Sequence, residues 1–188
     1  MKFQPLGIQG AWLIESKVFE DERGSFREWF KSDEIRDEIG IDFLVAQSNV
    51  STSARGVIRG IHYRLAPEGQ AKWVTCTTGR ILDVIVDIRP DSPTFKHVEY
   101  IELHGSRSTF IGSGLGHGFI SLEDNSVVSY LLSSRYAPEF EFEIQPTDSE
   151  LNIDWQVGSI LKSSFLLSPK DLKAPTLAER LTEGKLPK

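Results

Sequence analysis

A chain of 188 residues has material for one domain with a substantial core and too little for two ordinary ones. Hydrophobic residues at 39% and charged residues at 26% are the balance of a soluble globular protein, not of a disordered chain, and no apolar run reaches membrane-spanning length. The formal net charge of -6 argues against a nucleic-acid partner, although a small anionic ligand needs only a few local cations.

The N-terminal Met1-Lys2-Phe3-Gln4-Pro5 lacks the apolar core of a secretory signal, and the single Cys76 makes no internal disulfide, so the cytoplasm is the expected compartment. Ser32 as N-cap, Ile35 and Ile39 four apart, and Gly40 as a stop predict a short helix. Residues 45–155 are short runs rich in Val, Ile, Thr and aromatics, punctuated by Gly, Pro and Asp, which predicts an all-β sandwich or barrel. Residues 72–77 and 81–88 flank Thr78-Gly79-Arg80, which predicts a tight turn joining two paired antiparallel strands. Arg89 through Pro93 carries two prolines and ends the second of them. Further strands fit 97–103, 108–111, 118–122 and 127–132, and an amphipathic stretch near 176–181 predicts a second short helix. Both ends carry apolar residues and are expected to pack on the β core within one domain, 1–188.

Several polar residues stand out against this apolar pattern. In Arg59-Gly60-Ile61-His62-Tyr63, strand alternation sends His62 to the face opposite Ile61 and Tyr63, and a bulge at Gly60 would re-aim Arg59. Lys72 opens an otherwise apolar strand, and His117 lies among Gly114, Gly116 and Gly118, which permit close approach of a ligand or another strand. Tyr130 lies in a strand and Asp171 in a polar segment near the end. Taken singly, each has a plainer role: a hydrogen-bonded structural histidine, a lysine snorkelling from a sheet edge, an amphipathic core tyrosine, a capping aspartate. His97 and His104 are expected to be structural. No His-x-His pair occurs, His62 has no histidine two or four residues away, and Cys76 stands alone, so metal-free chemistry is expected.

Together the segments Asp21-Glu22-Arg23-Gly24, Gln47-Ser48-Asn49, Arg59-Gly60-Ile61-His62-Tyr63, Gln70-Ala71-Lys72 and Asp83-Val84-Ile85-Val86-Asp87-Ile88-Arg89 form an ordered set. With Ser92-Pro93-Thr94-Phe95, Gly116-His117-Gly118-Phe119, Tyr136-Ala137-Pro138 and Ser168-Pro169-Lys170-Asp171, they resemble the dTDP-4-dehydrorhamnose 3,5-epimerase family over nearly the whole chain. Gly116 stands where many relatives have alanine and Ile61 where many have leucine, changes that alter neither charge nor polarity.

The resemblance implies a cupin-type β jelly roll with a few short peripheral helices, working as a homodimer with exchanged N-terminal strands and with neither metal nor cofactor. It implies that His62 is a general base, Asp171 its orienting carboxylate, Lys72 the cation beside a sugar ketone, and Tyr130 the acid on the opposite face. It further implies that Arg23, Gln47, Asn49, Arg59, His117, Glu141 and Lys170 hold a nucleotide sugar, that Glu28 comes across the dimer, and that Tyr136 offers an aromatic face to thymine. The chemistry suits these residue types. A hydrogen beside a ketone is acidic because the carbanion delocalises as an enolate, which an ammonium stabilises where water is excluded. An imidazole, with an intrinsic pKa of about 6.5, is partly unprotonated at neutral pH, and a phenol, at about 10, holds a proton to deliver from the other face. Two activities share these motifs: epimerisation at C3 and C5 of a dTDP-4-keto-6-deoxyhexose, and epimerisation at C3 alone. A third reading, a cupin that binds a nucleotide sugar without turning it over, has no use for base, carboxylate and phenol together.

Overall fold

The computed structural model describes residues 1–65, 69–155, 160 and 164–188. Its strands are β1 (Lys2–Pro5), β2 (Ala11–Glu15), β3 (Val18–Asp21), β4 (Gly24–Arg27), β5 (Gln47–Ser53), β6 (Ile58–Arg64), β7 (Lys72–Thr78), β8 (Ile81–Asp87), β9 (Val98–Leu103), β10 (Arg107–Ile111), β11 (Leu115–Ser121), β12 (Ser126–Leu132) and β13 (Glu141–Glu143). Among the described residues three short helices accompany them: α1 (Ser32–Ile39), α2 (Pro169–Leu172) and α3 (Leu177–Thr182). Two antiparallel sheets carry the fold, one ordered β1-β2-β10-β7-β12-β5 and the other β13-β6-β11-β8-β9, with β3 and β4 forming a separate hairpin. This is the cupin-like β architecture expected of the sequence.

The alternation of each strand explains how one short chain makes three layers of core. Val74 and Cys76 of β7, Ile81 and Ile85 of β8, Leu115 and Phe119 of β11 and Val128 of β12 meet between the sheets. The opposite faces are also apolar. On the six-stranded sheet, Trp73, Phe110 and Ile14 are covered by Ile35 of α1, Phe43 and the N-terminal Met1 and Phe3. On the five-stranded sheet, Ile61, Tyr63, Val84, Val86 and Ile88 are covered by Leu151, Trp155, Leu177 of α3 and Leu186. Both ends of the chain thus close an outer face.

The two strands flanking Thr78-Gly79-Arg80 do not pair, contrary to the hairpin expected there. Strand β7 is held between β10 and β12, β8 between β11 and β9, so the turn carries the chain from one sheet to the other. Each strand has a buried face on either side and a partner along either edge, which leaves no edge for the other. Gly79, at φ 73°, makes this arch possible by packing on β12: a Cβ there would stand 2.6 Å from Ser126 Oγ.

The two expected helices differ from expectation only in their ends, and α2 was not expected. Lys31, not Ser32, is the N-cap of α1, while Gly40 closes it in the left-handed conformation by donating to Arg36 O. Thr176 and Glu179 form a reciprocal capping box at α3.

Candidate active site

Both sheets line a cleft of about 530 Å3 with inward-facing side chains. Strand β5 contributes Gln47 and Asn49, β6 Arg59 and His62, β7 Lys72, β11 His117 and β12 Tyr130. Tyr136, Glu141, Lys170 and Asp171 complete it. Registers fix these positions: Lys72 pairs with Leu132 and Leu132 with Gln47, while Val74 pairs with Tyr130 and Tyr130 with Asn49. Lys72 and Tyr130 are therefore diagonal neighbours on one face of the six-stranded sheet, and His62 lies across the cleft on the other sheet.

A bulge sets the orientation of β6. His117 is opposite His62 and Phe119 opposite Arg59, so the single Gly118 of β11 stands against two residues of β6, Gly60 and Ile61. The extra residue turns Arg59 to the same side as His62, against the simple alternation. Glycine makes the bulge possible: Gly60 has φ 131°, and a Cβ there would stand 2.5 Å from the Cα of Gly118.

His62 Nε2 lies 2.8 Å from Asp171 Oδ1. Asp171 is buried in the first turn of α2, where Ser168 caps the helix, accepts from Asp171 N at 3.1 Å and donates to Asp171 Oδ2 at 2.8 Å. Burial by itself would raise the Asp171 carboxyl, but the His62 hydrogen bond and charge, with Ser168 and Lys170, outweigh it and hold the group below the usual carboxylate range. With Nε2 engaged, Nδ1 is the imidazole nitrogen left for the cleft.

Lys72 reaches across the sandwich to donate to the His62 carbonyl at 3.3 Å. Burial lowers it to about 8, against the upward pull of Glu141 and Asp83. His117 is buried too, with Nε2 2.7 Å from Asp83 Oδ1, and burial outweighs that carboxylate to hold the imidazole below its ordinary value. At the mouth, Tyr136 N donates to Gln47 Oε1 at 2.8 Å, Gln47 Nε2 donates to Asn49 at 2.9 Å, and the Tyr136 side chain stays exposed. Arg59 leans on β5, donating through Nε to Ser53 Oγ at 3.2 Å. Lys170 Nζ lies 2.9 Å from Glu143 Oε2, and Glu141 Oε1 lies 3.6 Å from Arg64 Nη1.

Arg23, expected to hold the nucleotide sugar, is not in this cleft: it is at the tip of the β3–β4 hairpin, 86% exposed and paired with Asp21 at 2.5 Å. Glu28, expected from across a dimer, pairs with Lys31 at 2.8 Å outside the cleft. Asp83 and Ser168, in contrast, belong to segments noticed in the sequence but given no task there. Their signals were available: a carboxylate in mid-strand on the face shared by Ile81 and Ile85, and a Ser-Pro-x-Asp start of a helix turn. Among the described residues, no three His, Cys, Asp or Glu side chains are grouped to hold a metal ion.

A cupin-like sandwich whose cleft opposes an imidazole–carboxylate pair to an ammonium and a phenol has the equipment of an isomerase that moves protons at carbon. The model of the dTDP-4-dehydrorhamnose 3,5-epimerase family matches residues 5–179. The chain is 45% identical over 185 residues to the dTDP-4-dehydrorhamnose 3,5-epimerase of Streptomyces griseus, covering 98% of this chain and 90% of that protein. It superposes on the rmlC epimerase of Mycobacterium tuberculosis with a TM-score of 0.95 at 39% identity, covering 100% of this chain and 94% of the other. ChmJ, a 3'-monoepimerase from Streptomyces bikiniensis solved with dTDP-quinovose, superposes at 0.91 with 44% identity over 97% of this chain and 91% of its own. The chain belongs to the dTDP-4-dehydrorhamnose 3,5-epimerase family and is an isomerase.

Proposed function

We propose that this protein epimerises a dTDP-4-keto-6-deoxyhexose at C3 and C5, removing the proton beside the ketone with His62 and returning one to the opposite face from Tyr130. The observation that carries the reading is the placement of an imidazole–carboxylate pair and a phenol on facing sheets of one cleft. His62 Nδ1 takes the ring proton while Asp171 accepts from Nε2–H and stabilises the imidazolium as it forms. The buried Lys72 ammonium meets the charge growing on the ketone oxygen. A proton handed back by His62 would restore the starting centre, so inversion needs the phenol on the other sheet.

Binding roles follow from chemistry and position. Arg59 and Lys170 meet the diphosphate, Arg59 with a planar fork of donors, and the exposed Tyr136 ring stacks on thymine. Gln47, Asn49, His117 and Glu141 hold polar groups of the nucleotide sugar. Arg23 and Glu28 serve the cleft of a second copy in a homodimer, which the exposed Phe19 and Phe26 on the same hairpin support. Among the described residues no helix is long and apolar enough to cross a membrane, and a buried Cys76 outside any disulfide suits a cytoplasmic enzyme.

The likeness to a 3'-monoepimerase supports a second reading, in which only C3 turns over. Incubation with dTDP-4-keto-6-deoxyglucose in deuterated water, followed by proton NMR, separates the two. Deuterium at C3 and C5 is expected; entry at C3 alone selects the narrower activity, and no entry overturns both. The His62→Ala variant is expected to lose exchange altogether, whereas Tyr130→Phe exchanges but inverts little. A variant that matches wild type removes its residue from the chemistry.

A further inference from the structure

Asp83 has no exposed surface, yet it sits in the middle of β8 among apolar neighbours. It accepts from Thr109 Oγ1 at 2.7 Å and from His117 Nε2 at 2.7 Å. Thr109 belongs to the six-stranded sheet and His117 to the five-stranded one, so this carboxylate ties the two layers together behind the cleft wall. A buried ionised carboxyl is expensive, and hydrophobic packing would serve stability as well. What it faces gives it a use: both His117 and Lys72, whose charge interacts with it, line the cleft.

The first consequence concerns the His117 ring. A carboxylate only accepts, so the proton of a neutral His117 must lie on Nε2, and Nδ1 is left with a lone pair. Burial keeps this imidazole neutral near pH 7. The ring then presents an acceptor, suited to a sugar hydroxyl, and not a second cation. The second consequence concerns charge. Lys72 is faced by Glu141 from β13, Asp83 from β8, His117 from β11, His62 from β6 and Tyr130 from β12, and the first two are the groups that oppose the loss of its proton by burial.

We propose that Asp83 is a positioning residue of the reaction, which fixes His117 as a hydrogen-bond acceptor towards the sugar and supplies buried negative charge that keeps the Lys72 ammonium protonated. This rests on the epimerase reading. Asp83 touches no reacting atom; it acts through Lys72, which meets the ketone oxygen, and through His117, which meets a sugar hydroxyl.

Asp83→Asn keeps the shape and removes the charge, and its amide can donate to His117 Nε2, which drives the ring proton to Nδ1. Because Lys72 lies at about 8, activity that needs its ammonium falls as pH rises through that value. In Asp83→Asn that basic limb of kcat is expected to move down by about one pH unit, roughly tenfold less turnover along the limb, while dTDP affinity changes by less than about twofold. Thr109→Val breaks the tie between the sheets but leaves the charge, and its basic limb is expected to stay where wild type has it. An unmoved limb in folded Asp83→Asn, or an equal shift in both variants, overturns the proposal. Long-range nitrogen-15 spectra of the wild-type histidines decide independently of any variant: His117 is expected to carry its proton on Nε2 at pH 7 to 8, and a proton on Nδ1 overturns the assignment. Wild-type protein without ring-proton exchange overturns both this and the epimerase reading; exchange with an unmoved limb overturns this one alone.

Discussion

A methyl group added to Gly116 would stand 2.6 Å from Cγ2 of Ile61 and 3.3 Å from Cγ2 of Ile88. Gly116 and Ile61 therefore share one space. The branch at Cβ of isoleucine occupies the room an alanine methyl would take, and leucine, branched one carbon further out, would vacate it. Gly116→Ala is expected to cost about 1–3 kcal/mol by crowding, and the same change in an Ile61→Leu background well under about 1 kcal/mol. Urea unfolding of the single and double variants measures the cycle, and strictly additive costs would show that the two sites do not share space. Neither change reaches the cleft, so the loss is one of stability and not of chemistry. Other single residues were legible from the sequence because they break a rule. His62, Lys72 and His117 are polar on strands that bury mostly apolar side chains, and each faces the cleft. Asp83 breaks the same rule, but a carboxylate behind a wall cannot be told from one lining it until the strand has neighbours.

Strand β8 runs out at Asp87, and the turn that follows is built on that carboxylate. Arg89 donates through Nε and Nη2, both at 2.8 Å, Ser92 Oγ at 2.5 Å and Thr94 Oγ1 at 2.6 Å. Burial alone would raise the carboxyl, but these bonds outweigh it and hold Asp87 far below the usual carboxylate range. Because the folded value lies below the unfolded one, the stabilisation is complete above the unfolded pKa, about 3.9, and is lost as pH falls below it. Asp87→Asn is expected to cost about 2–4 kcal/mol at pH 7, with the difference from wild type narrowing below about pH 4. Denaturant titrations at several pH values check this, and a difference constant from neutral to acid would locate the effect elsewhere than in the charge. At this scale the sequence reads well where a signal is local, as in Gly40 ending α1 or Thr176 and Glu179 opening α3. It reads poorly where partners are chosen at a distance. Thr78-Gly79-Arg80 announces a turn, but whether the strands on either side pair or part depends on β9, β10, β11 and β12, whose claims on those edges no local pattern records.

For the whole molecule, the cleft leaves Arg23, Phe19 and Phe26 out on the β3–β4 hairpin and Glu28 just past its end. If they complete the site of a second copy, an Arg23→Ala chain and a His62→Ala chain are each impaired alone, yet a mixed dimer contains one cleft with both side chains intact. Random pairing of the two chains is expected to restore about a quarter of wild-type turnover, since half the dimers are mixed and one cleft in each is sound. Sedimentation equilibrium should give a dimer, and co-expressed chains that regain nothing would return Arg23 to its own subunit or to no role at all. The bulge at Gly60 has its own bearing on what such a molecule accepts. Arg59 and His62 stand on one strand, on one side and only three residues apart, so in the proposed reaction the spacing between the group that meets the diphosphate and the nitrogen that takes the ring proton is set first by the backbone. On the proposed roles that stretch is a gauge: a sugar carried on one phosphate is expected to stop short of the imidazole and one carried on three to overshoot it, so that turnover of the mono-, di- and triphosphate-linked sugars compared side by side checks whether the length of the leash sorts substrates.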